Sequence, residues 1–248
     1  MAKIIFLGTN GWYDSVTGNT ISILIESEKY NIVLDAGNGI AKLHQYIKND
    51  RPVYLFLSHF HLDHITGLHT LGINSFSKGL YLIVQEGGGE VLKRFVDFPF
   101  TIPLHKYPFH SEIIEVPQQA AQLPFKATVL PMVHSSYTLG IRLEVDGKII
   151  SYCPDTGYCE NAVILGKEAD VLITECAYRS GQVDPGWPHL NPELGARIAL
   201  ESGARKLVLT HFDAKKYPDL ETRNEAARKA REIFRESYAS TDGLEIEP

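Results

Sequence analysis

A chain of 248 residues has room for one large domain or two small ones, and at this size folding buries about three-quarters of the unfolded surface. Hydrophobic residues at 44% and charged ones at 22% exclude a disordered, collagen-like or coiled-coil chain. A net charge of −6 excludes wholesale coating of a polyanion, because such binding is mostly Lys/Arg neutralisation of phosphates, and leaves only a local basic groove open.

In chain order, the sequence predicts strands over Lys3 to Gly8, Thr20 to Ser27 and Tyr30 to Leu34, with Glu28-Lys29 as a tight turn. Asn38 to Lys48 carries Ile40, Leu43, Tyr46 and Ile47 at helical spacing, and Val53 to Leu57 is a continuous apolar run suited to a buried strand. Asp63 to Leu71 reads as helix, Leu80 to Val84 as strand and Glu90 to Phe95 as a short helix. The Pro- and aromatic-rich passage Phe98 to Pro108 reads equally as a lid or as a contact in a homodimer. A second β-rich block follows, with Ile113 to Val116, Phe125 to Leu130, Leu139 to Val145 and, past an Asp146-Gly147 hairpin turn, Lys148 to Cys153. Val171 to Ile173 and Leu207 to Leu209 are further buried-type strands. Helices are expected over Pro192 to Glu201, with Gly203 past its end, and over Thr222 to Arg235. Two β-rich halves with interleaved helices predict an α/β fold in which two mixed sheets pack face to face with helices on both outer faces, one domain in four layers over residues 1–248.

The chemistry begins directly after the apolar strand. His59-Phe60-His61-Leu62-Asp63-His64 packs four metal-ligand side chains into six residues, a density that a solvated polar turn does not explain. His59 and His61 leave the strand end on one side, and Asp63 and His64 open a helix, so one turn can serve two metal centres. Neutral imidazoles and a carboxylate suit zinc and also accept manganese or iron. Further ligands are expected at strand ends, where His134, Asp155 and His211 stand. His189, ahead of a helix in Trp187-Pro188-His189-Leu190-Asn191-Pro192, is a further candidate, whereas His44, His69, His105 and His110 have no such setting. Cys153 reads as a core thiol rather than a ligand, and Tyr13, Asp14 and Asn19 lie in a loop suited to lining a cleft. The three cysteines form no C-x-x-C, the first apolar run is too short for a signal peptide, and no segment is long and apolar enough to span a membrane. These features point to the cytoplasm.

On these residues the sequence resembles the metallo-β-lactamase superfamily over nearly the whole chain. Phe6-Leu7-Gly8-Thr9-Asn10-Gly11, Leu34-Asp35-Ala36-Gly37, the His59 to His64 motif, Val133-His134 with Gly140 to Leu143, Asp155-Thr156-Gly157 and Thr210-His211-Phe212 occur in the family's order. Within it, the chain looks like the ribonuclease Z-like phosphodiesterase branch. The resemblance implies that His59, His61 and His134 bind a first metal, that Asp63, His64 and His211 bind a second, and that Asp155 bridges them. It also implies a catalytic set of Asp63, His189, matched in His189-Leu190-Asn191-Pro192-Glu193, and Glu175, in the place of a His-Glu-Ala-Thr motif whose His is Thr174 here. His134 and Asp155 stand only 21 positions apart, in the interval that holds a long tRNA-gripping arm in true tRNA-processing members. The short interval looks more like the PhnP-type phosphodiesterases that open cyclic ribose phosphates, although their cysteine-rich zinc site near the N-terminus is missing.

Two cations roughly 3.5–4 Å apart turn a shared water into hydroxide at neutral pH, and a protonated His189 oriented by Glu175 is suited to protonate a departing alkoxide. The expected function is therefore hydrolysis of a small or cyclic nucleotide or ribose phosphodiester, or of a short nucleic acid. A ribonuclease Z-type endoribonuclease and an acyl hydrolase acting on a thioester or lactone are the competing expectations.

Overall fold

The computed structural model describes residues 2–248. The first half supplies β1 (Lys3–Gly8), β2 (Asn10–Gly11), β3 (Ser22–Glu26), β4 (Asn31–Leu34), β5 (Val53–Phe56), β6 (Leu80–Gln85) and β7 (Ser111–Val116), with short helices α1 (Leu43–Tyr46), α2 (Leu62–Ile65) and α3 (Gly88–Phe95). The second half supplies β8 (Lys126–Pro131), β9 (Leu139–Val145), β10 (Lys148–Cys153), α4 (Glu160–Gly166), β11 (Val171–Glu175), α5 (Pro192–Ser202), β12 (Leu207–Thr210), β13 (Phe212–Asp213), α6 (Leu220–Arg231), β14 (Ser237–Ala239) and β15 (Glu245–Ile246).

These strands form a seven-stranded sheet in the order β15-β1-β3-β4-β5-β6-β7 and a six-stranded sheet in the order β14-β12-β11-β10-β9-β8. Both are mixed: β4 to β7 run parallel beside antiparallel β1 and β3, and β10, β11, β12 and β14 run parallel beside the β8-β9-β10 meander. Alternation along each strand sorts the side chains into layers. Ile4 and Phe6 of β1 point into a core shared with Ile141, Leu143, Ile150 and Ile173 of the other sheet, while Ile5 and Leu7 point outward against Ile40, Leu43 and Leu68. On the far side Leu172, Leu207 and Leu209 pack beneath Ala162, Ala196, Ala199 and Ala226 of the helices. The result is the predicted four-layer αββα sandwich.

The predicted helix over Asn38 to Lys48 is a 3₁₀ turn (Asn38–Lys42) that runs into α1, and the one over Asp63 to Leu71 is α2 followed by a 3₁₀ stretch (Thr66–Ile73). Close packing tightens both: a Cβ on Gly67 would meet the Gly37 carbonyl oxygen at 2.2 Å. Helix α5 begins with Asn191 accepting from the Leu194 N–H and ends at Gly203 with φ of 68°, as its proline and glycine suggest. The passage Phe98 to Pro108 is fastened to the outer layer through Leu104 and Tyr107, beside Phe109. Among the described residues no helix is long and apolar enough to cross a membrane.

Candidate metal centre

Parallel strands present their C-terminal ends on one side of a sheet, and the crevice outside those ends is where α/β folds place ligands. Ser58 and His59 follow β5, His134 follows β8, Asp155 follows β10, Glu175 ends β11, and His211 follows β12. His61 is the residue before α2, and Asp63 and His64 lie in its single turn. The fold therefore brings all seven predicted ligands together, in two groups: His59, His61, His134 and Asp155, and beside them Asp63, His64 and His211. Asp155 stands between the groups. Its Oδ1 lies 3.2 Å from both His64 Nε2 and His211 Nε2, and its Oδ2 lies 3.7 Å from His134 Nε2 and 3.9 Å from His59 Nε2.

A buried carboxylate behind the ligands sets their tautomers. Asp35 is fully buried at a φ of 60°, and a buried carboxyl group needs hydrogen-bond partners. It has four: the Ser58 N–H at 2.7 Å, the Ser58 hydroxyl at 2.9 Å, the Tyr152 hydroxyl at 2.8 Å and His64 Nδ1 at 2.8 Å. In the neutral ring, with His64 Nδ1–H given to Asp35, Nε2 is a lone pair facing Asp155. With its own proton committed to Asp35, the Ser58 hydroxyl can only accept from His59 Nδ1 at 3.0 Å, so His59 Nε2 is also a lone pair. On the other flank the backbone N–H of Trp12 donates to Asp63 Oδ2 at 2.7 Å, and His211 Nε2 lies 3.2 Å from the same oxygen.

The donor set fits a divalent cation. His59 Nε2 and Asp155 Oδ1 are buried without a hydrogen-bond partner, and each orphan costs about 1–3 kcal/mol unless something else meets it. His64 Nε2 faces His211 Nε2 at 3.1 Å, and His61 Nδ1 faces His134 Nε2 at 3.3 Å. Donors roughly 2.0–2.1 Å from a tetrahedral zinc stand about 3.4 Å apart, so these nitrogens are spaced as ligands of one ion. Burial holds the His59, His61 and His134 imidazoles below their ordinary range, which favours the neutral, ligating form. Burial also opposes charge on His64 and His211, but the carboxylates around them, Asp155 foremost, override it and raise both. The site therefore calls for positive charge, which a metal supplies as well as a proton does.

His189 sits beside the centre, its ring 5.1 Å from that of His134 and 6.4 Å from that of His211. Its Nδ1 donates to Glu175 Oε1 at 2.6 Å. Glu175 is itself fixed by the backbone N–H groups of Thr156 at 2.8 Å and Ala177 at 2.9 Å. Burial opposes a charge on His189, yet the Glu175 carboxylate prevails and pushes its pKa up to about 9.

Other candidates lie elsewhere. Cys153 is buried among the apolar side chains beneath α4, and burial pushes its thiol up, in keeping with a core role. His44, His69, His105 and His110 are exposed at the surface. Asp14 braces its own loop, accepting from Thr20 N–H at 2.6 Å, Asn38 Nδ2 at 2.9 Å and Asn19 Nδ2 at 3.0 Å. Sequence reasoning missed the part played by Asp35, Ser58 and Tyr152. Its one clue was an acidic residue at the end of the apolar strand Asn31–Leu34.

Residues 30–212 match the model of the Beta-lactamase superfamily domain. The chain is 26% identical over 238 residues to the probable metallo-hydrolase YhfI of Bacillus subtilis (strain 168), covering 94% of this chain and 93% of that one. The crystal structure of YhfI superposes with a TM-score of 0.82 at 24% identity, covering 100% and 99%. A ribonuclease Z of Bacillus thuringiensis (strain Al Hakam) is 24% identical over 301 aligned positions, covering 97% of each chain. Because this chain has 248 residues, that relative carries segments with no counterpart here. A diphosphatase of the PhnP family superposes with a TM-score of 0.75 at 18% identity, covering 100% of this chain and 98% of that one.

Proposed function

Since this chain belongs to the metallo-β-lactamase superfamily, we propose that it is a two-metal phosphodiesterase acting on a small nucleotide or ribose phosphodiester. His59, His61 and His134 would hold one cation, Asp63, His64 and His211 the other, and Asp155 both; zinc is the ion that suits this donor set best. Such ions, when bound, supply Lewis acidity toward the non-bridging phosphoryl oxygens and an activated water as nucleophile.

The observation that carries the reading is the 2.6 Å contact between His189 Nδ1 and Glu175 Oε1 beside the centre. Phosphodiester cleavage expels an alkoxide, a poor leaving group that needs a proton as the P–O bond breaks. His189 can deliver one from Nε2 because Glu175 keeps the ring charged and turned toward the ligands, and Glu175 cannot swing away while two backbone N–H groups hold it. Glu175 is thus a positioning residue and His189 the acid. Thiolates leave without such help, so this pair favours phosphodiesters over thioesters. The interval between His134 and Asp155 is filled by the β9–β10 hairpin alone, which supports a small substrate over precursor tRNA. Three free thiols, Cys153, Cys159 and Cys176, support residence in the cytoplasm.

The test is turnover of paired phosphodiesters that differ only in leaving group. His189→Ala is expected to lose far more rate with an alkyl leaving group than with nitrophenolate. Equal losses on both would remove His189 as the acid, and turnover of thioesters but no phosphodiester would overturn the reading.

A further inference from the structure

Two large, exposed aromatic residues stand beside the metal centre: Trp12 is 66% exposed and Trp187 is 49% exposed. The Trp12 backbone is fixed on the Asp63 side, its N–H donating to Asp63 Oδ2 at 2.7 Å, and its ring lies 5.3 Å from that of Tyr13. Trp187 stands on the opposite side: its ring is 6.4 Å from His61 at an interplanar angle of 9°, 5.9 Å from His134 and 6.3 Å from His189.

Neither position is incidental to a floppy loop. Trp12 has a φ of 73°, a left-handed conformation that a bulky residue adopts only where its surroundings over-determine it, most often at a functional site. Those surroundings are explicit. The short pairing of β2 with β13 sets Asn10 against Phe212 and Gly11 against Asp213. The Asn10 side chain donates to Ser15 Oγ at 2.9 Å and to the carbonyl of Tyr13 at 3.1 Å. Fully buried Arg223 binds Thr9 and Thr17 hydroxyls at 2.8 and 2.9 Å and also grips Asn10 Oδ1. Trp187 lies in Asp184-Pro185-Gly186-Trp187-Pro188, where two prolines fix the backbone, and its carbonyl accepts from the Tyr178 hydroxyl. An exposed indole on a rigid mount loses little freedom when something stacks on it, and stacking of a nucleobase on an aromatic ring is sequence-tolerant and worth about tenfold in affinity or more.

We propose that Trp12 and Trp187 are the two walls of a base-stacking clamp, so that the substrate is a phosphodiester carrying a nucleobase on each side of the scissile phosphate, rather than a bare or cyclic ribose phosphate. The inference rests on the phosphodiesterase reading above and narrows its substrate. Trp187 takes the base on the His61–His134 side and Trp12 the base on the Asp63–His211 side. The phosphate between them lies over the ligands, within reach of His189.

The chain contains only these two tryptophans, so intrinsic fluorescence reads the clamp without a label and without turnover. The zinc-loaded protein is titrated with the phosphorothioate-linked dinucleoside of adenosine, a slowly cleaved diester with two bases, and with dimethyl phosphate, which has the same charge and no ring. The dinucleoside is expected to quench both indoles and to bind about 100-fold tighter than dimethyl phosphate. Trp12→Ala and Trp187→Ala each weaken it about tenfold, and Trp12→Phe and Trp187→Phe recover most of that loss. Equal affinities for the two probes, or alanine variants that bind the dinucleoside as tightly as the parent, overturn the clamp. Bis-nitrophenyl phosphate turnover by the parent protein is measured alongside. If it occurs while the binding test fails, the clamp alone falls. If no phosphodiester is turned over, the underlying reading falls and the clamp with it.

Discussion

The two sides of Asp155 are built differently. On the Asp63 side, His64 and His211 are buried, the first bonded to Asp35 and the second close to Asp63, and a backbone N–H from a distant loop completes the arrangement. On the other side the His59 and His134 imidazoles are also buried, but His61 is half-buried beside the exposed ring of Trp187. One side is assembled by the fold itself, from groups that lose their hydrogen bonds if any one of them moves. The other opens toward solvent at His61. The difference teaches that the two halves of one cluster are held with unequal firmness, the Asp63 half by hydrogen bonds behind its ligands and the other chiefly by burial.

Changes to the residue shared by both sides should have the largest effect. Asp155→Ala is expected to empty both groups and to abolish activity by more than about 100-fold, beyond the range seen for groups that merely support ligands; metal content by elemental analysis, read with turnover, checks it. Removing the acid comes next. His189→Ala should cost about 10²–10⁴-fold on alkyl leaving groups with both metals retained, and far less on nitrophenyl esters, as paired kinetics would reveal. Asp35→Asn acts unequally on the two sides: it replaces the acceptor bonded directly to His64, so it should weaken the cation of Asp63, His64 and His211 by about 10–100-fold, and weaken the other less, because His59 meets Asp35 only through Ser58; a metal titration resolves the two steps. Equal weakening of both would contradict this difference. The smallest effect is a shift rather than a loss. With His189 raised to about 9 by Glu175, activity on alkyl esters should hold through neutral pH and fall as pH rises through that value. Glu175→Gln should move that limb down to the ordinary histidine value of 6.5 or below, because the burial that remains acts in that direction. The sign for stability follows: a raised pKa contributes stability present below about 6.5 that is lost as pH climbs through about 9.

Much of this was legible because ligand chemistry is dense and strand ends are easy to find. His59 to His64 announces itself as a motif, and Asp155 and His211 follow strands that end buried while His134 follows the part-exposed edge strand β8. The long helix near the C-terminus, predicted over Thr222 to Arg235, runs over Leu220–Arg231, displaced because Asp219 rather than a later residue caps it. Helix Glu160–Gly166 carries no start signal in the sequence: its N-cap is Cys159, whose side chain caps no backbone N–H, rather than a Ser, Thr, Asp or Asn. Asp35 reads from the sequence only as part of a turn, since nothing local says that a hydroxyl from Tyr152, 117 residues away, will meet it. The indoles of Trp12 and Trp187 were overlooked for a similar reason. Exposure beside a site is a property of the assembled fold, whereas the residue type alone suggests core packing.

The measurement that tests the central claim most directly is anomalous diffraction from crystals grown with zinc, at an energy that locates each ion. The expected map holds two peaks, one among His59, His61 and His134 and one among Asp63, His64 and His211, with a separate oxygen of Asp155 turned to each. A single peak, or ions bound away from Asp155, would contradict it.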